Sequence, residues 1–426
     1  MEILQYLRST ADAKGIPTLN KQEWQAFNQL YDKETIVSAL IEYIRIYKPE
    51  PPTLSVSESD MIDSFRSLCN QDWRKFYLPQ HEVIGKVLEK YDDYKHSFDE
   101  CGLGVIQMGN KHLDLSNYFN QTLRMECDTY GFRSAHHRWK TATDLRPVML
   151  ALWRLGNDQL CEKSFVVAFR VATYIATQFK PHVAKTIYDM TDSISIFDSS
   201  CGWGDRLAGF YCSDAKFYTG CDPNPETFDM YKKQCIAYEN LLSNGTPIVR
   251  ESKNWFHCIG TKEVTIYRCA AEDLDFTKFP KFDCAFTSPP YFSTEKYNAG
   301  GKFEEDQSWK RYDNYEKWRD KFFLPVNERT FEHLNDGGIQ IVNIQDPQIH
   351  GKRYRASDDL INRLTDKYQA NFLGNPGMRI MQRPKNVSKT KLQTHFSKLY
   401  IEPCWCFGKN RNSLVLPKVK GLTQYM

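Results

Sequence analysis

The sequence predicts an α/β fold, with a doubly wound, mostly parallel sheet behind a helical N-terminal extension. Three observations carry this. From Ile194 onward, seven short apolar runs alternate with helical stretches. The first run leads into a glycine turn, Gly202-Trp203-Gly204, that opens a helix. Before Ile194 the apolar residues recur at helical spacing instead. Strands alternating with helices give a mostly parallel sheet covered on both faces. Right-handed crossovers then put ligands at the carboxyl ends of the strands.

Taken in order, residues 1–48 form a helical segment, with Ala26, Leu30, Ile36, Leu40 and Ile44 spaced near multiples of 3.6. Residues 49–57, from Pro49-Glu50-Pro51-Pro52, are a Pro-rich linker expected to be extended. Residues 58–175 are mainly helical, with helices expected over 58–70, 81–96, 149–155 and 165–178, and with target recognition or partner binding as their role. Residues 176–415 carry the alternating pattern. The expected strands are 194–198, 216–222, 264–269, 282–287, 338–344, 378–382 and 399–407, and the helices follow 204, 226, 315 and 357.

Composition narrows the class. A chain of 426 residues, 41% hydrophobic and 14% aromatic, can bury a sizeable core, so disorder throughout is excluded. No apolar run approaches the roughly 18 residues a membrane helix needs. The N-terminus has no basic stretch followed by an apolar one, so no signal peptide is expected. The 13 cysteines are odd in number, without a CxxC pair or zinc spacing, which predicts a reducing compartment, the bacterial or viral-host cytosol.

Two constellations carry chemistry. In the first, Asp198-Ser199-Ser200-Cys201-Gly202-Trp203-Gly204 follows the first strand, and Asp222 ends the second. Glycines let the backbone turn sharply and approach a ligand, and an acidic residue ending strand two is placed to hold ribose hydroxyls. A plain strand–helix turn accounts for the glycines alone; Asp222 favours a ligand. There is no GxGxxG and no GxxxxGK. In the second, Thr287-Ser288-Pro289-Pro290-Tyr291-Phe292 follows the fourth strand. Each proline pushes the residue before it into extended backbone. The Ser288 and Pro289 carbonyls are therefore expected to be rigid, free acceptors beside an aromatic ring. Such a set can grip a planar amine.

In this order and spacing the two constellations resemble the S-adenosylmethionine-dependent amino-methyltransferases of DNA, which act on N6 of adenine or N4 of cytosine. Ser288-Pro289-Pro290-Tyr291 matches their Asp/Asn/Ser-Pro-Pro-aromatic motif in full, and Asp198–Gly204 is similar to their glycine motif. Phe179-Lys180-Pro181-His182 resembles the segment before their first strand; Gly337–Asn343 and Glu402–Phe407 resemble their fifth and seventh strands. The likeness spans about 179–409. Ser199-Ser200-Cys201 departs from it, since members often carry Pro-Phe and a small residue there. The resemblance implies a seven-stranded methyltransferase sheet and S-adenosylmethionine as cofactor. Phe179 would cap its methionine, Gly202 and Gly204 lie against it, and Asp198 orient the loop or the amino group. Asp222 would bind the ribose and Asp273 the adenine amine. Ser288 and the Pro289 carbonyl would hold the target amine, with Pro290 fixing the turn, and Tyr291 would stack on a base flipped out of double-stranded DNA. Cys201 and Cys284 are read as structural, which disfavours methylation at carbon 5. Serine after threonine leans toward N4-cytosine over N6-adenine.

From His350 to Lys398, eleven Lys or Arg face three Asp, a balance of +8 within a chain of net charge +3. Arg379, Arg383, Lys385, Lys389 and Lys391, expected on a hairpin loop, are the candidate phosphate contacts. Phe132–Lys140 is a second basic and aromatic stretch, and its His136-His137 pair lacks metal-ligand spacing. The alternatives are an RNA base-amine methyltransferase and a non-catalytic DNA-binding subunit of the same fold. A companion nuclease or a homodimer is compatible with every reading.

Overall fold

The computed structural model describes residues 2–88, 98–107, 109, 111–243, 245–292, 296–349, 351–380 and 399–415. Its contacts group the chain into two units: 1–57 with 117–177 and 295–307, and 58–116 with 178–294 and 308–426. The second grouping draws 58–116 into the sheet unit, which the sequence had assigned to a separate helical region.

The first unit is helical. The periodic run in 1–48 is three helices, Glu2–Ser9, Lys21–Leu30 and Lys33–Tyr47. Asn20 and Glu23 form a capping box at the second, and Asp32 caps the third through its side chain. Trp24, Leu40, Tyr43, Trp139, Met149 and Phe165 are among its buried core residues. The Pro-rich run is neither helix nor strand, and the Trp139 indole donates to the Pro49 carbonyl at 2.9 Å.

The second unit holds the sheet. Its seven central strands are β1 (Ser195–Asp198), β2 (Phe217–Cys221), β3 (Glu263–Tyr267), β4 (Phe282–Thr287), β5 (Leu334–Asn343), β6 (Asn371–Arg379) and β7 (Cys404–Gly408). They lie in the order β6-β7-β5-β4-β1-β2-β3. β5, β4, β1, β2 and β3 are parallel neighbours, and β7 runs antiparallel between β5 and β6. Six of the seven expected strands find their counterparts, whereas the strand expected at 378–382 lies earlier, in β6, and shares only Met378 and Arg379 with it; 381–382 are outside the described residues. β4 is buried at five of its six positions, as a central strand should be.

Four further expectations need correction. The sheet is wider than seven strands. A hairpin, Ile248–Ser252 with Trp255–Ile259, extends it beyond β3, and Gly102–Ile106 and Tyr77–Pro79 extend it beyond β6. These edge strands are short, and Ile248–Ser252 is largely exposed, so no clean apolar alternation marked them. The helix expected over 81–96 is one turn, Gln80–Val83, followed by strand Val87–Leu88; 89–97 lie outside the described residues. The long helix from Tyr315 is interrupted by a π-helical turn at Arg319–Phe323, ends at Glu332, and gives way to β5 at Leu334. The strand expected at 399–407 is divided at Pro403 into Leu399–Glu402 and β7, since proline cannot donate to the ladder.

The winding is incomplete between β3 and β4. Only two short turns, Ala271–Asp273 and Phe276–Lys278, make that crossover. The uncovered face of β2 and β3 carries a cleft of about 720 Å³ lined by Phe217, Thr265, Tyr267 and Asp273, among others. Neither Gly202–Gly204 nor Ser288–Tyr291 lines it. Among the described residues no helix is long and apolar enough to cross a membrane.

Candidate active site

Parallel registry brings the predicted residues to one edge. Asp198 pairs with Gly220 across β1–β2, Phe197 with Ala285 across β1–β4, and Val342 with Thr287 across β4–β5. The carboxyl ends of four strands therefore sit side by side, with Asp198, Asp222, Ser288 and Asn343 at or just beyond them.

Asp198 is fully buried and its two oxygens are occupied. Oδ2 accepts from Arg206 Nε at 2.8 Å and Tyr218 OH at 2.7 Å; Oδ1 accepts from Arg206 Nη2 at 3.2 Å and the Ser200 amide at 3.1 Å. Burial works against the Arg206 charge, but Asp198 more than offsets it and holds the guanidinium protonated well above its ordinary range. Of the two roles expected for Asp198, orienting the loop is the one this geometry serves. Arg206 also lies 5.1 Å from the centroid of Phe179, whose ring meets Phe286 of β4 edge-on at 5.6 Å. Phe179 is thereby fixed beside the start of the glycine loop.

The two glycines differ. Gly202 adopts φ +59°, and its amide donates to Asp222 Oδ2 at 3.0 Å. A side chain there would meet nothing nearer than 3.8 Å, so backbone conformation alone selects glycine. Gly204 adopts φ +78° at the cap of helix Asp205–Tyr211, and a Cβ would lie 2.2 Å from Gln234 Oε1. The space opposite Gly204 is thus filled by Gln234, which makes this a packing glycine as well.

Asp222 accepts from the Gly202 amide through one oxygen and the Asn224 amide through the other, at 3.0 Å each. Burial pushes its carboxyl up to about 6, against the pull of those two donors. Each oxygen keeps capacity for a further donor. A diol reaching the end of β2 would meet a carboxylate already aimed by the loop it must touch. Asp273 lies in the short turn Ala271–Asp273 after β3. It is more than half exposed and pairs with Arg311 at 3.0 Å, while the neighbouring Glu272 binds the other Arg311 nitrogen at 2.8 Å.

At the end of β4 one of the two carbonyls expected to be free is occupied. The Ser288 carbonyl accepts from Ser200 Oγ at 3.0 Å. The Pro289 carbonyl accepts no hydrogen bond from the described residues. The Phe292 amide closes on the Pro290 carbonyl at 2.9 Å, with Phe292 at φ +47° and its ring buried against Trp318. Tyr291 is half-buried, and its hydroxyl donates toward Asn343 and Glu402. Cys201 and Cys284 are buried; burial pushes the Cys284 thiol up to about 12, far from a nucleophilic thiolate.

The sequence did not single out Arg206, Ser200, Asn343 or Glu402 as site members. Arg206 follows the glycine turn at helical spacing from Gly202 and was within reach; Glu402 and Asn343 are joined to Tyr291 only by sheet order. Arg379 ends β6, and its Nη1 donates to Gln107 Oε1 at 2.8 Å. Arg383, Lys385, Lys389 and Lys391 lie outside the described residues.

No protein-family model matches the chain, and no curated protein does. Among solved structures, it aligns with Trm1 from Pyrococcus horikoshii in complex with S-adenosyl-L-methionine at 14% identity and a TM-score of 0.33, over 55% of this chain and 57% of that one. It aligns with TehB from Haemophilus influenzae at 11% identity and a TM-score of 0.31, over 59% and 68%. An rRNA methylase from Streptococcus thermophilus aligns at 13% identity and a TM-score of 0.28, over 55% and 99%. The architecture rests on the strand order and registers themselves.

Proposed function

We propose that the sheet unit is an S-adenosylmethionine-dependent methyltransferase that modifies the exocyclic amine of a base extruded from double-stranded DNA, with N4 of cytosine favoured over N6 of adenine. The observation that carries this is the Pro289 carbonyl. It is held by two prolines at the end of β4, accepts no bond from the described residues, and falls between Ser288 and Tyr291 in the chain. Asp222 and the Gly202 turn occupy the carboxyl ends of neighbouring strands, the edge at which open α/β sheets bind their ligands, which supports this reading.

The cofactor supplies an electrophilic methyl group on sulfur. The chain's residues do the rest. Asp222 accepts the ribose hydroxyls, and the Gly202 turn brings the backbone close. The lone pair of an aromatic amine is conjugated with its ring, which makes it a poor nucleophile. A fixed carbonyl that accepts one amine N–H favours a more pyramidal nitrogen and stabilises the positive charge that builds there. Tyr291 gives the base a face to stack on, and positioning lowers the barrier further. Arg379 and the lysines that follow it contact phosphates in this reading. The raised Cys284 thiol argues against attack by sulfur on carbon 6, the step that carbon-5 methylation needs.

The test is mass spectrometry of nucleosides from DNA, and in parallel RNA, incubated with the protein and isotopically labelled cofactor. Label on N4-methylcytosine or N6-methyladenine is expected. Label on RNA alone, on 5-methylcytosine or on protein overturns the reading.

A further inference from the structure

We propose that Glu402 is a positioning residue for Tyr291, and that together with Asn343 it fixes the tyrosine as a preset platform with no hydroxyl proton left for the base. This rests on the methyl-transfer reading above.

Among the described residues the Tyr291 hydroxyl lies within bonding distance of the Asn343 carbonyl at 3.1 Å, Asn343 Oδ1 at 3.4 Å and Glu402 Oε1. A phenol has one proton, and an ionised carboxylate competes for it better than a neutral carbonyl. Asn343 is itself held, since its Nδ2 donates to the Pro403 carbonyl at 3.1 Å and its side chain is buried at the end of β5. Glu402 is held by pairing with Met378 of β6 and by the proline that follows it. On the other side, Pro290 precedes Tyr291, and buried Phe292 follows at φ +47° with its amide on the Pro290 carbonyl. The ring is gripped at its backbone and at its hydroxyl, by groups from β5, from the strand Leu399–Glu402 and from the stretch after β4. A stacking face ordered before the base arrives saves the entropy of ordering it afterwards.

Stacking alone predicts that phenylalanine serves as well as tyrosine at 291; the anchor predicts otherwise. Tyr291→Phe and Glu402→Met should each lower kcat/KM for the nucleic acid by about tenfold. The double variant should be no worse than either single one, and Glu402→Gln, which keeps an acceptor, should recover part of the loss. Cofactor affinity by calorimetry should not change in any of them. A second readout needs no activity. In protein labelled with ¹³C at the tyrosine ζ carbon, the Tyr291 resonance, assigned by its loss in Tyr291→Phe, should move in Glu402→Met. Full activity of Tyr291→Phe, or a Tyr291 resonance indifferent to Glu402→Met, overturns the anchor. A resonance that moves in a protein that methylates neither DNA nor RNA keeps the anchor and removes the reaction, so the two failures are distinct.

Discussion

The Ser200 hydroxyl donates to the Ser288 carbonyl at 3.0 Å, which bonds the loop after β1 directly to the motif after β4. The link is one step of a chain. Ser199 Oγ donates to Thr287 Oγ1 at 3.1 Å, and Thr287 Oγ1 lies 2.8 Å from Ser200 Oγ. Hydroxyls arranged in series polarise one another, so each bond in the chain strengthens the next. The two serines of the loop after β1 therefore make a polar tie between the Gly202 turn and the Ser288-Pro289-Pro290-Tyr291 turn.

Ser200→Ala should break that tie while leaving Asp222 and Gly202 in place. A neutral hydrogen bond contributes about 0.5–1.5 kcal/mol. Turnover should fall up to about tenfold, with cofactor affinity changed much less, and Ser200→Thr should restore most of it. Steady-state kinetics beside calorimetry reads both quantities. A loss of cofactor affinity equal to the loss of turnover would place Ser200 in cofactor binding instead.

Asp222→Ala should weaken cofactor binding by tenfold or more, since bonds to a charged acceptor contribute about 1.5–3 kcal/mol. The raised carboxyl adds a pH dependence. Because its folded pKa is about 6 rather than 3.8, the ionised form is the costly one, and this group's contribution to stability falls as pH rises from about 4 through 6. Cofactor hydroxyls favour the ionised form. Affinity should therefore fall by up to about tenfold for each pH unit below about 6 and level off above it. Calorimetric titrations between pH 5 and 8 should show that slope in the wild type and lose it in Asp222→Ala, which has nothing to titrate there.

Gly204→Ala should destabilise the fold through two separable causes. Left-handed backbone costs a residue with a Cβ roughly 1–2 kcal/mol, and the new methyl group collides with Gln234, whose Oε1 would be 2.2 Å away. Adding Gln234→Ala should relieve the collision and leave the backbone cost. Urea denaturation of the single and double variants tests this; if the double variant is no more stable than Gly204→Ala, Gln234 is not the obstacle.

Replacing Lys385, Lys389 and Lys391 with Gln should weaken binding to all DNA sequences alike. Each phosphate contact contributes about 0.9 to the slope of log affinity against log salt. The slope should become shallower by up to roughly three such contributions. An unchanged slope means these lysines are solvated and touch no phosphate.

What the sequence determined by itself was local. Six of the seven central strands, the glycine turn, Asp222 at the end of β2 and the Pro-Pro turn after β4 were legible because each is written in contiguous residues: apolar runs of strand length, glycines at positive φ, prolines that stop a ladder. Burial of Cys201 and Cys284 was expected too, since a cysteine with no ligand-like spacing is most often a small buried hydrophobe. The tertiary structure decided everything that depends on which strands are neighbours. Asp198 is saturated because helix spacing returns Arg206 to it and β2 lays Tyr218 beside it. The Ser288 carbonyl is occupied because β1 and β4 pair in parallel and carry Ser200 to it across 88 residues of sequence. Glu402 reaches Tyr291 across 111 residues because β7 folds back against β5. The edge strands went unread for the same reason: Gly102–Ile106 carries two glycines and Ile248–Ser252 is largely exposed, and they become strands only where β6 and the hairpin partner offer amides and carbonyls to pair with.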